Sequence, residues 1–410
     1  MTAIHLDLSW GKATREWRGL RHGCAGVVMA LCCASAGFAQ QASPPVSETA
    51  MQLIYGADGV AQDIPAGLAM LKDASADGDL AAQRTLGEQL IGGWVTQRDS
   101  DAGLPLLRAA AQAGDTKAQL SLGTFLLYGI GVPKDMRAAR DLFEQMADRG
   151  DPTGLQLYGE ALMWSLKDPN AAQTYLIRAG EMGRGAAWAI LAEGAMYGYL
   201  GDGKTSRAKF DGFAKRARAT GNERIEVLDA TRQMWGISMR ANGPATLAKL
   251  ETAADAGNTE AARFLIALVR DGNGMNIRKD TPHAMELLQR YADLLSPQEQ
   301  WRFEFTIAAA KTRQLHNYSG LQDRFMAAPG PLDAAFGSDL YKANPNFAIY
   351  LLQARMKQDG LYPGKLDGLA GTATVQGLSQ VCRVTLDRAD CAETALRPDV
   401  VGALIADRNS

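Results

Sequence analysis

The 410-residue chain is poor in the side chains that most metal and nucleophile chemistry needs, with four histidines and five cysteines. Two of the histidines and three of the cysteines fall within the first forty positions. What remains, His283 and His316 with no Cys-x-x-Cys, offers no zinc or iron ligand set, so no metal and no cofactor is expected. Asp271-Gly272-Asn273-Gly274 begins like a calcium loop, but Pro282 stands where the twelfth-position Glu is required. Aromatic residues make up only 7% of the chain, while glycine is abundant at 43 residues. That composition disfavours a β-sandwich, whose strands want aromatic and β-branched residues, and suits closely packed helices. With 47% hydrophobic and 21% charged residues the chain is globular rather than disordered.

No excess of positive charge is present either. Lys12, Arg15, Arg18 and Arg21 precede a small-residue-rich apolar run from Cys24 to Phe38, which reads as a secretory leader over 1–39, cleaved after Ala39. Ala34-Ser35-Ala36 is the alternative cleavage site, and an uncleaved membrane anchor the alternative fate. The run is short for a membrane span, and neither Leu31 before Cys32 nor Cys32 before Cys33 is the small residue that lipidation needs. Removing 1–39 takes away four basic and two acidic side chains and leaves 39 Lys+Arg against 43 Asp+Glu, which argues against nucleic acid as a partner. The two remaining cysteines, Cys382 and Cys391, head for an oxidising compartment and are expected to pair, two buried thiols being the alternative.

What the sequence does have is a period. Glycine recurs at Gly78, Gly114, Gly150, Gly183, Gly221 and Gly257, at intervals of 36, 36, 33, 38 and 36 residues. Asp79, Asp115, Asp151, Asn222 and Asn258 follow five of them, pairing a helix-ending glycine with a residue suited to cap the next helix. Nine residues past each glycine stand Gly87, Gly123, Gly159, Ala192, Ala230 and Ile266. Glycine in mid-helix costs about 1 kcal/mol in propensity, so its recurrence points to close helix-to-helix approach. A second helix start recurs at Asp63, Asp99, Asp135, Asp168 and Asp280, with Pro65, Pro169 and Pro282 in the first turn, where a missing amide hydrogen is harmless. The unit is therefore an antiparallel helix pair of about 36 residues.

Ala118-Gln119, Leu122-Gly123, Tyr128-Gly129-Ile130-Gly131-Val132, Asp135 and Ala138-Ala139 together resemble the Sel-one-like repeat, a relative of the tetratricopeptide repeat. Ala82-Gln83 with Leu86-Gly87, and Tyr55 to Val60 with Asp63, match well, whereas the units opening at Gly183 and Gly221 are degenerate. The resemblance covers about 48–295 and implies an all-α solenoid of about seven helix-pair repeats, whose concave face commonly binds proteins. Residues 296–325 are expected to hold a capping helix, and 326–345, around Ala327-Ala328-Pro329-Gly330-Pro331, a linker.

Residues 346–410 resemble the small three-helix peptidoglycan-binding domain of bacterial envelope proteins. Leu352-Gln353, Gly360 with Tyr362, Asp367-Gly368, Gly371 and Thr374 match its motif, whereas Val381-Cys382 stands where that family usually has Phe-Gln. Gln353, Gly360, Asp367, Gly368, Gly371 and Thr374 read as structural residues of turns and caps, and Tyr362 and Lys365 as the candidate contacts to peptidoglycan.

Gly198 to Thr205 fits the string G-x-x-x-x-G-K-T of a phosphate-binding loop. Such a loop follows a buried strand, whereas Ala186 to Tyr197 reads as helix, so no nucleotide is expected. The expectation from sequence is a periplasmic, non-enzymatic scaffold that holds envelope proteins on its repeats and tethers to peptidoglycan through its C-terminus. A hydrolytic or accessory enzyme acting on cell wall or exopolysaccharide, and an inhibitor of a membrane sensor, are the alternatives.

Overall fold

The computed structural model describes residues 45–56, 60–93, 95–200, 203–329, 332–385, 391 and 394–406. The expected leader, with the cleavage position after Ala39, lies outside them. All regular structure among the described residues is helical. Seven antiparallel pairs come first: α1 (Val46–Tyr55) with α2 (Ile64–Ala76), α3 (Leu80–Gly92) with α4 (Ser100–Gln112), α5 (Thr116–Tyr128) with α6 (Met136–Asp148), α7 (Pro152–Trp164) with α8 (Pro169–Glu181), α9 (Gly185–Met196) with α10 (Arg207–Ala219), α11 (Arg224–Trp235) with α12 (Gly243–Asp255), and α13 (Thr259–Asp271) with α14 (Thr281–Arg290). In each pair the first helix is termed A and the second B.

Helix boundaries are set by caps that recur with the period. At the start of B helices the side chains of Asp63, Asp99, Asp135, Asp168 and Asp280 accept from the backbone amide three residues on, at 2.9–3.0 Å. Asp79, Asp115, Asp151 and Asn258 do the same for A helices, each bond worth about 1 kcal/mol. Asn222 departs from this expectation. α11 starts one residue later, with Glu223 in the cap position and no side-chain cap, and the Oδ1 of Asn222 is buried without a partner.

The two classes of glycine have different jobs. The turn glycines, such as Gly78 (φ +89) and Gly114 (φ +94), have open space around them and are needed for their left-handed backbone. The mid-helix glycines are needed for room. A Cβ on Gly87 would stand 2.9 Å from the carbonyl oxygen of Gly103 on α4, and one on Gly123 would stand 2.5 Å from the Phe143 ring on α6. Helix axes approach here to the point of backbone contact, which tolerates no side chain.

Polar staples join one repeat to the next. Gln119 donates to the carbonyl of Ala111, closing the end of α4, and its own Oε1 accepts from Arg149 at the end of α6. Arg184 Nε donates to Gln156 Oε1 at 2.9 Å, and Arg84 pairs with Asp115 at 3.1 Å. In the degenerate units, charge replaces part of the apolar contact. Asp229 is held by Arg218, Arg232 and Lys249 together, and Arg232 stacks on the Phe210 ring 4.1 Å away.

After the pairs come α15 (Pro297–Lys311), α16 (Tyr318–Met326), α17 (Ala334–Ala343), α18 (Pro345–Gln358), α19 (Thr372–Thr385) and α20 (Pro398–Ala406). α15 opens with a full capping box between Ser296 and Glu299. The expected linker over 326–345 is corrected here, since half of it is α17, packed tightly on α20. Trp301, Phe305, Phe325, Phe336 and Phe347 form one aromatic cluster that draws α15, α16, α17 and α18 into a single core. Asn344 reinforces it, capping α18 while donating to the carbonyls of Ala309 and Thr312. Beyond Pro329, Phe336 and Leu340 are buried among apolar partners, while Gly330 and Pro331 lie outside the described residues. Among the described residues, no helix is long and apolar enough to cross a membrane.

Candidate protein-binding face

Successive A helices pack on one another, α7 on α9, α9 on α11 and α11 on α13, and the B helices of successive repeats show no comparable approach. Closer spacing on the A side makes the A helices the inner, concave wall of the stack. On this wall the sequence carries a second period. Counting from the small residue at the crossing (Ala50, Gly87, Gly123, Gly159, Ala192, Ala230), the fifth residue on is Tyr55, Gly92, Tyr128, Trp164, Tyr197 and Trp235. Five of six are aromatic, and all lie at the C-terminal end of their helix. Tyr55, Tyr197 and Trp235 leave 45%, 41% and 46% of their surface in water, a large exposure for side chains of this size. Tyr199, on the turn after α9, is exposed too and meets Trp164 edge to face at 5.3 Å.

The first residue after the crossing position forms a parallel row containing Glu88, Glu160 and Glu193. One helical turn separates the two rows, so carboxylates and aromatic rings share a face. Glu88 accepts from Ser121 Oγ at 2.6 Å and lies 3.8 Å from Arg84. Glu193 is held by Arg224. Glu160 accepts no hydrogen bond from a described residue, and burial pushes its carboxyl up to about 7, Arg224 pulling against that and Glu193 adding to it. Burial raises the hydroxyls of Tyr55, Tyr128 and Tyr197 as well, with Glu88, Glu160 and Glu193 respectively contributing. An aromatic row with a partly desolvated acid beside it thus runs along the A helices, its outer rings exposed and Tyr128 and Trp164 resting partly on the core.

Residues 116–151, 154–183 and 261–294 match the Sel1 repeat family. Those three segments are Sel1 repeats. Sel1 repeats indicate a scaffold for protein–protein interaction. A solved Sel1 repeat protein from Oxalobacter formigenes is 23% identical, covering 51% of this chain and 83% of that one, at a TM-score of 0.41. A protective antigen of uropathogenic Escherichia coli displaying an SLR fold is 16% identical over 87% and 72%, at 0.38. An immunity protein from Pseudomonas aeruginosa is 15% identical over 61% and 80%, at 0.33. No curated protein matches the chain.

The C-terminal motif residues come together as an internal lock. Gln353 is fully buried, and its Nε2 lies within 2.9–3.2 Å of Asp367 Oδ1, Leu369 O, Thr374 Oγ1 and Tyr362 Oη. Its Oε1 accepts from the amides of Asp367 and Gly368. The Gln353 amide also holds the Asp367 carboxyl below the usual carboxylate range. Gly360 and Gly368 take left-handed backbone, as turn residues, whereas Gly371 does not. Tyr362, expected to touch peptidoglycan, is buried, and its hydroxyl donates to the carbonyl of Lys365 at 2.9 Å, so it is a structural residue. Lys365 itself is exposed. Cys382 and Cys391 are joined by a disulfide with an S–S distance of 2.01 Å that ties α19 to the turn ahead of α20. One side of α19 shows Gln376, Ser379, Gln380 and Arg383 around a shallow depression.

The phosphate-loop string falls between the end of α9 and the start of α10, and its Gly201 and Asp202 lie outside the described residues. Asn273 in the calcium-like string spends its Oδ1 on the amides of Met275, Asn276 and Ile277. Among the described residues, no group of three or more His, Cys, Asp or Glu is placed to hold a metal.

Proposed function

We propose that the protein is a non-enzymatic periplasmic scaffold whose Sel1 repeats hold envelope proteins on the A-helix wall while the C-terminal unit addresses the assembly to peptidoglycan. The aromatic row is the observation that carries the first half: five large rings stand at one register, and three of them, Tyr55, Tyr197 and Trp235, leave over two-fifths of their surface in water. The basic and apolar leader supports secretion. The wall address rests on the motif shared with peptidoglycan-binding domains. Because the motif side chains are used internally, the exposed polar groups of α19 and Lys365 are the surface left for a glycan or peptide stem.

Since α17 to α20 share a core with α15 and α16, deleting them would expose apolar surface, and point changes test the address better. The full chain is expected to co-sediment with purified sacculi, and the combined Lys365→Ala, Gln380→Ala and Arg383→Ala variant to remain in the supernatant. Equal sedimentation of both, or of neither, contradicts the address.

A further inference from the structure

Resting on the scaffold reading, we propose that the A-helix wall takes an extended, basic segment of its partner, with a lysine or arginine side chain seated against Glu160 and flanked by Tyr128 and Trp164. Three observations converge on this occupant. Glu160 is the acid of its row that no donor satisfies, although two others on the same wall are each met by a cation or hydroxyl. A desolvated, unpaired carboxyl is costly, and a cation from outside removes the cost. Half-buried aromatic residues stand one turn along the same helix at Trp164 and on the preceding A helix at Tyr128, which couples to Glu160, and aromatic rings favour a cationic side chain over an anionic one. The rows also set a spacing. A helices in contact lie about 8–10 Å apart, and an extended chain advances about 3.3 Å per residue. A segment crossing the wall therefore meets a new aromatic row about every third residue.

The charged and titratable groups that face Glu160 are Tyr128 on α5, Glu193 on α9 and Arg224 on α11. Glu144 on α6 and Tyr175 on α8 face Tyr158 instead. Glu160 thus has one neighbouring cation, and Glu193 already engages it. Binding of a basic segment is consequently expected to strengthen as Glu160 ionises with rising pH.

The test is fluorescence anisotropy of the full chain with a labelled peptide of about twelve residues carrying lysine at every third position, an extended length that spans the wall from α5 to α11. Binding is expected for the lysine peptide and not for the same peptide with glutamate. Tightening is expected between about pH 6 and 8, and a loss of about tenfold with Glu160→Gln, while Glu181→Gln on the exposed side of α8 has no effect. Thermal unfolding of each variant reports that it is folded. Equal affinity for both peptides, no binding of either, or affinity unchanged by Glu160→Gln overturns the basic-segment proposal and leaves the scaffold reading standing. That reading fails separately if photo-crosslinkers placed on the wall in cells join no protein.

Discussion

Glu160→Gln is informative about folding as well as binding. The Glu160 carboxyl is raised from 4.5 to about 7 in the folded chain because burial disfavours its charge. Between those values the folded state holds a proton that the unfolded chain has released. Stability is therefore highest below about 4.5, falls as pH rises through the window, and levels off above about 7. At about 1.4 kcal/mol per pH unit the full shift corresponds to roughly 3 kcal/mol. Glu160 keeps partial contact with water, which reduces this to about 1–2 kcal/mol. Glutamine has the same shape and no charge, so Glu160→Gln is expected to be more stable than the parent by that amount at pH 8 and nearly equal to it at pH 4.5. Urea unfolding followed by circular dichroism at several pH values measures the difference directly. Parallel pH profiles for parent and variant would refute the claim that this carboxyl is desolvated.

Four further changes probe the repeats and the C-terminal unit. Gly87→Ala drives a methyl into the Gly103 carbonyl and is expected to destabilise by about 1–3 kcal/mol despite the better helix propensity of alanine. Gly78→Ala, strained only in its backbone, should cost about 1 kcal/mol, and denaturant midpoints compare the two. Ala113→Arg is expected to stabilise by about 0.5–1.5 kcal/mol, because it occupies the place from which Arg149 bonds Gln119 one repeat later, and the Oε1 of Gln83 is buried without a partner; no rise in midpoint would contradict the equivalence. Gln353→Ala leaves the amides of Asp367 and Gly368 unpaired and should cost about 2–4 kcal/mol, loosening 359–371 in hydrogen exchange before the repeats respond.

Much of this architecture was legible in the sequence because it repeats. Asp before five of the seven B helices and glycine after six of them, read only as letters at a spacing, are the caps and left-handed turns of the structure. The mid-helix glycines announced close packing for the same reason. Non-periodic features were harder. Asn222 looks like its counterparts, yet α11 opens a residue later, and no local signal distinguished it. The linker expectation at 326–345 failed because Pro and Gly report a turn but not whether the chain beyond it finds a core, which Phe336 does through Phe305 and Phe325. The resemblance to the peptidoglycan-binding domain leaves Tyr362 as a candidate contact once the glycines and Asp367 are assigned to turns, whereas its hydroxyl closes the Gln353 lock. The aromatic row was visible throughout, five residues after each small crossing residue, but it becomes a site only once the A helices are known to line the inner wall.

The central claim is that the A-helix wall is where partners bind. A photo-reactive residue placed at Trp235 on the wall, and another at the exposed Glu181 on α8, report on the two sides of the same folded chain in cells. Irradiation is expected to join a discrete envelope protein to the chain from position 235 and not from 181, with the product lost when Trp164→Ala and Glu160→Gln are combined. Crosslinking from 181 alone, or equally from both positions, would contradict the account.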